Sequence, residues 1–119
     1  MDKLEKIFYL QKKLDDKIIQ QRNVEFDLEI WIEKEVLAII SELAELLNET
    51  NFKWWKNPKK LDNSAIKGEI IDVFHFVISI CLKVGITPQE LYDAYLDKNK
   101  ENILRQEGLT EKKGYSLNE

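Results

Sequence analysis

The sequence predicts an all-α protein, and three observations carry that expectation. Apolar residues recur at helical spacing, and no segment alternates with a period of two for long enough to suggest a strand. Only 4 Gly and 2 Pro interrupt the 119 residues. The clearest of these breaks, Gly85-Ile86-Thr87-Pro88-Gln89-Glu90, reads as a helix stop followed by a helix start. Glycine suits the left-handed residue past one helix, threonine the N-cap, proline the first helical position and glutamate the third.

Four main helices are expected. The first covers about residues 3–21, with Leu4, Ile7, Phe8, Leu10, Leu14, Ile18 and Ile19 on one side. The second covers about 27–49. The third covers about 64–84, capped by Asn63 or Ser64. The fourth covers about 88–106. A fifth, short turn of helix is expected near Phe52–Lys56, and Pro58 marks the polar connection that follows. Residues 1–106 should form a single domain, and the polar tail 107–119 should lack regular structure.

Composition narrows the class. Hydrophobic residues make up 44% and charged residues 34%, a globular balance and not a disordered one. The formal charge of −4 disfavours a broad nucleic-acid surface but leaves room for a local phosphate site. A single cysteine, Cys81, excludes an internal disulfide and is expected as a small buried apolar residue. One His and one Cys exclude a Cys/His zinc site within the chain. The N-terminal stretch MDKLEKIFYLQKKLDD has no apolar signal core. The longest apolar stretch, Ile70 to Val84, is broken by Asp72, His75 and Lys83 and falls short of a membrane span. A cytoplasmic protein with no membrane partner fits these features.

The second and third helices are apolar around nearly their whole circumference, which predicts burial. A chain of 119 residues has little room for two such helices, so a dimer is expected to cover the surplus. Inside these helices lie acids: Glu42, Glu45 and Glu49 on the second, Glu69 and Asp72 on the third. A step of three residues turns a helix to within about 60° of its start, so each pair shares a face. Burying unpaired carboxylates is costly, and facing pairs repel. Basic partners, protonation or divalent cations can relieve this. Oxygen ligands without Cys or a second His suit a hard ion, Mg²⁺ or Mn²⁺. The plainer reading, a solvated acidic face, fits poorly with such apolar flanks. A di-iron bundle needs Glu-x-x-His on two helices, and this chain has one His.

Carboxylate-held Mg²⁺ commonly serves a phosphate substrate, with basic groups converging from elsewhere. Lys98, Asn102 and Arg105 follow an i, i+4, i+7 stripe, with Asn99 beside them. The alternative is a solvated amphipathic surface. Phe52-Lys53-Trp54-Trp55 lies just past the first acidic pair, where aromatic rings stack on a base or serve in packing.

The order ExxE, then ExxD on the next helix, resembles the all-alpha nucleoside triphosphate pyrophosphatases of the MazG-like superfamily. Within it, four features look like the dimeric dUTPases: Gln11-x-x-Leu14-Asp15-x-x-Ile18; SELAELLNE with FKWWK close behind; EIIDVFHFVISI; and KNKENILRQEG followed by Gly114-Tyr115. They cover most of the chain in the family's order, and the last is the most discriminating. The segment 50–63 lacks the insertions of larger members.

The resemblance implies a four-to-five-helix dimeric bundle that hydrolyses dUTP to dUMP and pyrophosphate. Glu42, Glu45, Glu69 and Asp72 would hold two or three Mg²⁺ ions, with Mn²⁺ able to substitute. One of the carboxylates on the second helix would help deprotonate the attacking water. Lys98, Arg105 and Tyr115 would bind phosphates beside Asn99 and Asn102. Gln11 would read the uracil edge and Trp55 would pack at the base. Glu49, Lys53 and His75 would stand behind these groups, Glu49 at an outer or third metal and His75 near the deoxyribose. From spacing alone, His75 reads as a core histidine bonded to a backbone carbonyl. The competing readings are a related pyrophosphatase acting on dCTP or a modified nucleotide, and a non-catalytic helical dimer serving as an interaction module.

Overall fold

A computed structural model describes residues 1–111 and Gly114. Those residues form four helices and no strand: α1 (Lys3–Arg22), α2 (Leu28–Asn48), α3 (Asn63–Val84) and α4 (Pro88–Gln106). The all-α expectation holds, with each helix end within two residues of the sequence reading.

Local chemistry explains the boundaries. Asp2 caps α1 by accepting a hydrogen bond from the Glu5 amide at 2.8 Å. α1 closes at Asn23, whose φ of 51° is left-handed, a conformation asparagine tolerates better than most residues. α3 begins under Asp62, not Asn63 or Ser64 as the sequence suggested. The Asp62 carboxylate accepts from Ser64 N at 3.0 Å and Ala65 N at 3.1 Å. A charged acceptor at the positive end of a helix outcompetes the neutral side chains that follow it. α3 closes at Gly85, with φ of 83°. Thr87 and Glu90 form the reciprocal capping box of α4, with Pro88 at its first position.

The expected helical turn near Phe52–Lys56 is replaced by plain turns. Lys56 N bonds to Lys53 O at 3.0 Å and Trp54 N to Phe52 O at 2.9 Å. So few bonds do not repay the entropy of nucleating a helix. The loop is closed instead by Asn51, whose side chain donates to Lys59 O at 2.8 Å and accepts from Lys59 N at 2.9 Å.

The chain divides into two compact units, one spanning Met1–Gly85 and one beginning at Ile86. In the first, α3 packs against both α2 and α1. The second carries α4. No single helix among the described residues is long and apolar enough to cross a membrane.

The apolar core of the first unit is small. Phe8, Ile78 and Cys81 are buried. Burial raises the Cys81 thiol above its ordinary range, in keeping with an inert apolar role. The expectation that α2 and α3 are wholly buried does not hold for the single chain. Val36, Leu37, Ile40, Leu43 and Leu47 of α2 and Ile70, Phe74 and Val77 of α3 are exposed. Three helices cannot enclose two that are apolar on every side.

What ties the three helices together is polar. The Lys83 ammonium on α3 donates to Glu35 Oε1 on α2 at 2.8 Å and to Ser79 Oγ at 2.8 Å. It also lies 3.5 Å from Asp15 Oδ2 on α1. Ser79 Oγ lies 2.7 Å from Asp15 Oδ2 and 3.0 Å from Glu35 Oε1, and its one hydroxyl proton serves either carboxylate. The Trp31 ring covers the ammonium, its centroid 4.5 Å away. Removing a buried cation strands the carboxylates it faces, whereas an exposed pair is largely screened. Lys83→Met should therefore lose about 3–5 kcal/mol of folding stability in urea denaturation. Lys12→Met breaks the exposed Lys12–Asp16 pair, 3.1 Å apart, and should lose no more than about 0.5 kcal/mol.

Candidate functional site

α3 carries a polar seam on an otherwise apolar helix. Glu69, Asp72, His75, Ser79 and Lys83 recur at steps of three and four and so face one way. The C-terminal part of this seam holds the Lys83 network. The N-terminal part meets α2 at Glu42, two turns beyond Glu35.

Glu42, Glu69 and Asp72 each offer a carboxylate oxygen, and these atoms lie within 4.8 Å of one another. Glu42 Oε2 and Glu69 Oε2 are buried with no hydrogen-bond partner among the described residues. Burial pushes the Glu69 carboxyl up to about 7, reinforced by the adjoining carboxyls of Glu45, Glu42 and Asp72. Glu42 is raised for the same reasons, burial first and then Glu45 and Asp72. Orphaned buried oxygens with crowded like charges are the signature of a missing counter-charge. The all-oxygen donor set fits a hard divalent cation.

The fourth acid of the expected set, Glu45, is exposed like Asp72 and adjoins Glu42 and Glu69 without joining the three whose oxygens converge. Glu49 takes a different partner: its carboxylate lies 3.9 Å from the Lys59 ammonium.

Gln11 is buried on α1, one turn before Asp15. Its amide Nε2 donates to Asp15 Oδ1 at 2.9 Å, and its Oε1 lies 2.5 Å from His75 Nδ1. His75 is thus not a core residue, and among the described residues it bonds to a side chain and not to a backbone carbonyl. Its ring is exposed and held by a side chain on another helix. Both residues line a groove of about 420 Å³ between α1 and α3, otherwise walled by Ile7, Leu10, Leu14, Ile71, Phe74 and Ile78.

Trp55 is exposed and meets Trp54 edge-on, with ring centroids 5.8 Å apart. The Lys53 ammonium lies 5.7 Å from the centre of the Phe52 ring. In the second unit, Arg105 ion-pairs with Glu101 and its Nη1 lies 3.5 Å from Asn102 Oδ1. Lys98 reaches the same Glu101 at 3.7 Å, and Asn99 is exposed. The Lys98–Asn102–Arg105 face therefore exists along α4, threaded by an acid that the motif does not include. Tyr115 lies outside the described residues.

Sequence reasoning gave no role to Asp15, Glu35, Ser79 and Lys83, the residues that order this region. Faint signals existed: Gln11 and Asp15, and Ser79 and Lys83, are each four apart, and Glu35 interrupts an apolar helix. None of them says which helices meet.

Helical carboxylates converging from α2 and α3 define a class of all-α proteins with an acidic group fit to hold a cation. A family described as dUTPase matches residues 3–90, and the chain belongs to that all-alpha family. It is 30% identical over 88 residues to a dCTP pyrophosphatase of Enterobacteria phage T4, covering 62% of this chain and 52% of that protein. It is 32% identical over 75 residues to a dCTP pyrophosphatase of Enterobacteria phage LZ5, covering 63% and 44%. A DNA replication protein of phage T4 is 28% identical over 81 residues, 56% of this chain and 21% of its own length. The chain thus spans about half or less of the curated relatives it matches. No solved structure gives a significant match.

The raised Glu69 carboxyl sets a pH dependence. Between about 4.5 and 7 the folded chain holds a proton at Glu69 that the unfolded chain has released. Fewer protons on the unfolded state mean that stability falls as pH rises through that window. Thermal denaturation without divalent cations should show this decline, and Glu69→Gln should flatten it. A divalent cation bound by these acids would compete with the same proton, so its affinity by calorimetry should rise with pH and level off above about 7.

Proposed function

We propose that this chain is a Mg²⁺-dependent nucleoside triphosphate diphosphohydrolase that converts dUTP and water to dUMP and pyrophosphate. The observation that carries this reading is the meeting of Glu42, Glu69 and Asp72, with buried Oε2 atoms of Glu42 and Glu69 that have no hydrogen-bond partner among the described residues. Glu42, Glu69 and Asp72 hold the cations, with Glu45 completing the set from the rim. Bound Mg²⁺ supplies charge neutralisation on the phosphate oxygens and a more acidic water.

The chain's own groups do the rest. A carboxylate on α2, Glu42 or Glu45, takes a proton from the attacking water, which adds to the β-phosphorus. The bond from that phosphorus to the α–β bridging oxygen breaks, and dUMP leaves with the oxygen. Phosphate binding falls to Lys98, Arg105 and Tyr115, with Asn99 and Asn102 assisting. Gln11 reads the base from the α1–α3 groove, and Trp55 packs at the base. Glu49, Lys53 and His75 support these groups from behind.

A second reading, dCTP as the substrate, is favoured by the names of the two phage pyrophosphatases. Pyrophosphate release from dUTP, dCTP and dTTP with Mg²⁺ separates the two. The first reading expects dUTP to give the highest kcat/KM, and an equal or faster rate with dCTP overturns it in favour of the second. Glu45→Gln and Asp72→Asn should each lower kcat by about 10²-fold or more and weaken Mg²⁺ binding. A non-catalytic interaction module predicts no turnover in the parent protein.

A homodimer belongs to the same reading. Val36, Ile40, Leu43 and Leu47 form an exposed stripe on α2. Ile40 and Glu42, like Leu43 and Glu45, are two residues apart and so about 200° around the helix. The stripe therefore points away from the acids, free to meet a second copy. Sedimentation should give twice the chain mass, and Leu43→Lys should shift it toward the monomer.

A further inference from the structure

We propose that Asp15 and His75 lock the Gln11 amide in a single orientation, and that this lock is what lets the α1–α3 groove tell uracil from cytosine. The inference rests on the nucleotide-hydrolase reading above and adds the device that sets its base selectivity.

The orientation follows from donor and acceptor chemistry. Both oxygens of an ionised carboxylate only accept. Asp15 Oδ2 faces the Ser79 hydroxyl at 2.7 Å and the Lys83 ammonium at 3.5 Å, two groups that can donate. The Gln11 atom 2.9 Å from Asp15 Oδ1 must then be the amide nitrogen. The amide oxygen consequently faces His75 Nδ1. An amide oxygen also only accepts, so Nδ1 must carry the imidazole hydrogen. One half-buried acid thus sets both the amide orientation and the histidine tautomer. Gln11 is 7% exposed, so neither contact is readily exchanged for water.

After these bonds, Gln11 retains one N–H and one oxygen lone pair for a ligand in the groove. The groove is walled by apolar side chains from α1 and α3 and has Gln11 and His75 as its polar edge, which suits a flat heterocycle. Uracil presents N3–H next to a 4-oxo group, and cytosine presents a bare N3 next to a 4-amino group. The two differ by exchange of donor and acceptor at neighbouring positions. Turning an amide by 180° makes the same exchange. A free glutamine would therefore satisfy either base in one pose, and a locked one satisfies only one. Asp15 and His75 are positioning residues here, acting on the base through Gln11.

Two measurements test the lock. The chain has a single histidine, so its imidazole ¹⁵N shifts report one site. At about pH 8 the unaltered protein should show the Nδ1–H tautomer. The Nε2–H tautomer would overturn the proposal without any variant being made.

The second measurement is the ratio of kcat/KM for dUTP and dCTP in Asp15→Asn. The new amide can donate or accept, so Gln11 can turn. The ratio should move toward one by at least about tenfold, mostly through KM. His75→Phe, at an exposed position, removes one of the two locking contacts and should move the ratio the same way by a smaller factor. If Asp15→Asn does not fold, His75→Phe decides. An unmoved ratio in a folded variant that still hydrolyses pyrimidine nucleotides sinks the lock alone. Absence of turnover of both nucleotides by the parent protein sinks the hydrolase reading and the lock together.

Discussion

The Lys83 ammonium is the constraint on which the first unit depends. It is the cation that Glu35 of α2 and Asp15 of α1 both face, and it sits on α3. A buried ion pair is a weak source of net stability but a strong source of register, because sliding any of the three helices strands a charge. Register is what the remaining polar residues require. Glu42 lies two turns beyond Glu35, so fixing Glu35 carries Glu42 to the level of Glu69 and Asp72. Gln11 lies one turn before Asp15 and His75 one turn before Ser79, so the Asp15–Ser79 contact carries Gln11 to His75.

The two ends of the α3 seam solve the same electrostatic problem differently. Around Lys83 the carboxylates have an internal cation, and each of Asp15 and Glu35 lies within 3.5 Å of it. Around Glu69 no cation forms an ion pair among the described residues, and burial with like charges drives Glu69 upward. Folding alone thus supplies a cation at one end, where only Glu35 Oε2 is left without a hydrogen bond among the described residues, and leaves the other dependent on a proton or a cation. Such an unresolved site is where function is to be sought, since a chain selected only for stability would not retain it.

The exposed apolar residues of α2 and α3 belong to the same account. The helices that carry the acids are apolar on most of their remaining surface, yet the chain buries few of those side chains. A second copy on the side of α2 away from Glu42 and Glu45 would cover that surface and exclude water from the helices that hold the carboxylates.

Much of this was legible in the residues themselves. Caps, breakers and helical periodicity are local, and they placed four helices to within two residues at each end. The spacing of Glu69 and Asp72 showed that they share a face, because an α-helix has one geometry. Local reasoning failed where competition or distance decided. Asp62 took the cap from Asn63 and Ser64, and residues 52–56 lacked the bonds for a helix. That His75 would bond to Gln11, 64 residues away, follows from helix packing and from no local pattern. Helical spacing determined which side chains point the same way on each helix. Only tertiary structure decided which faces meet, because that choice rests on pairing buried charges between helices far apart in the chain.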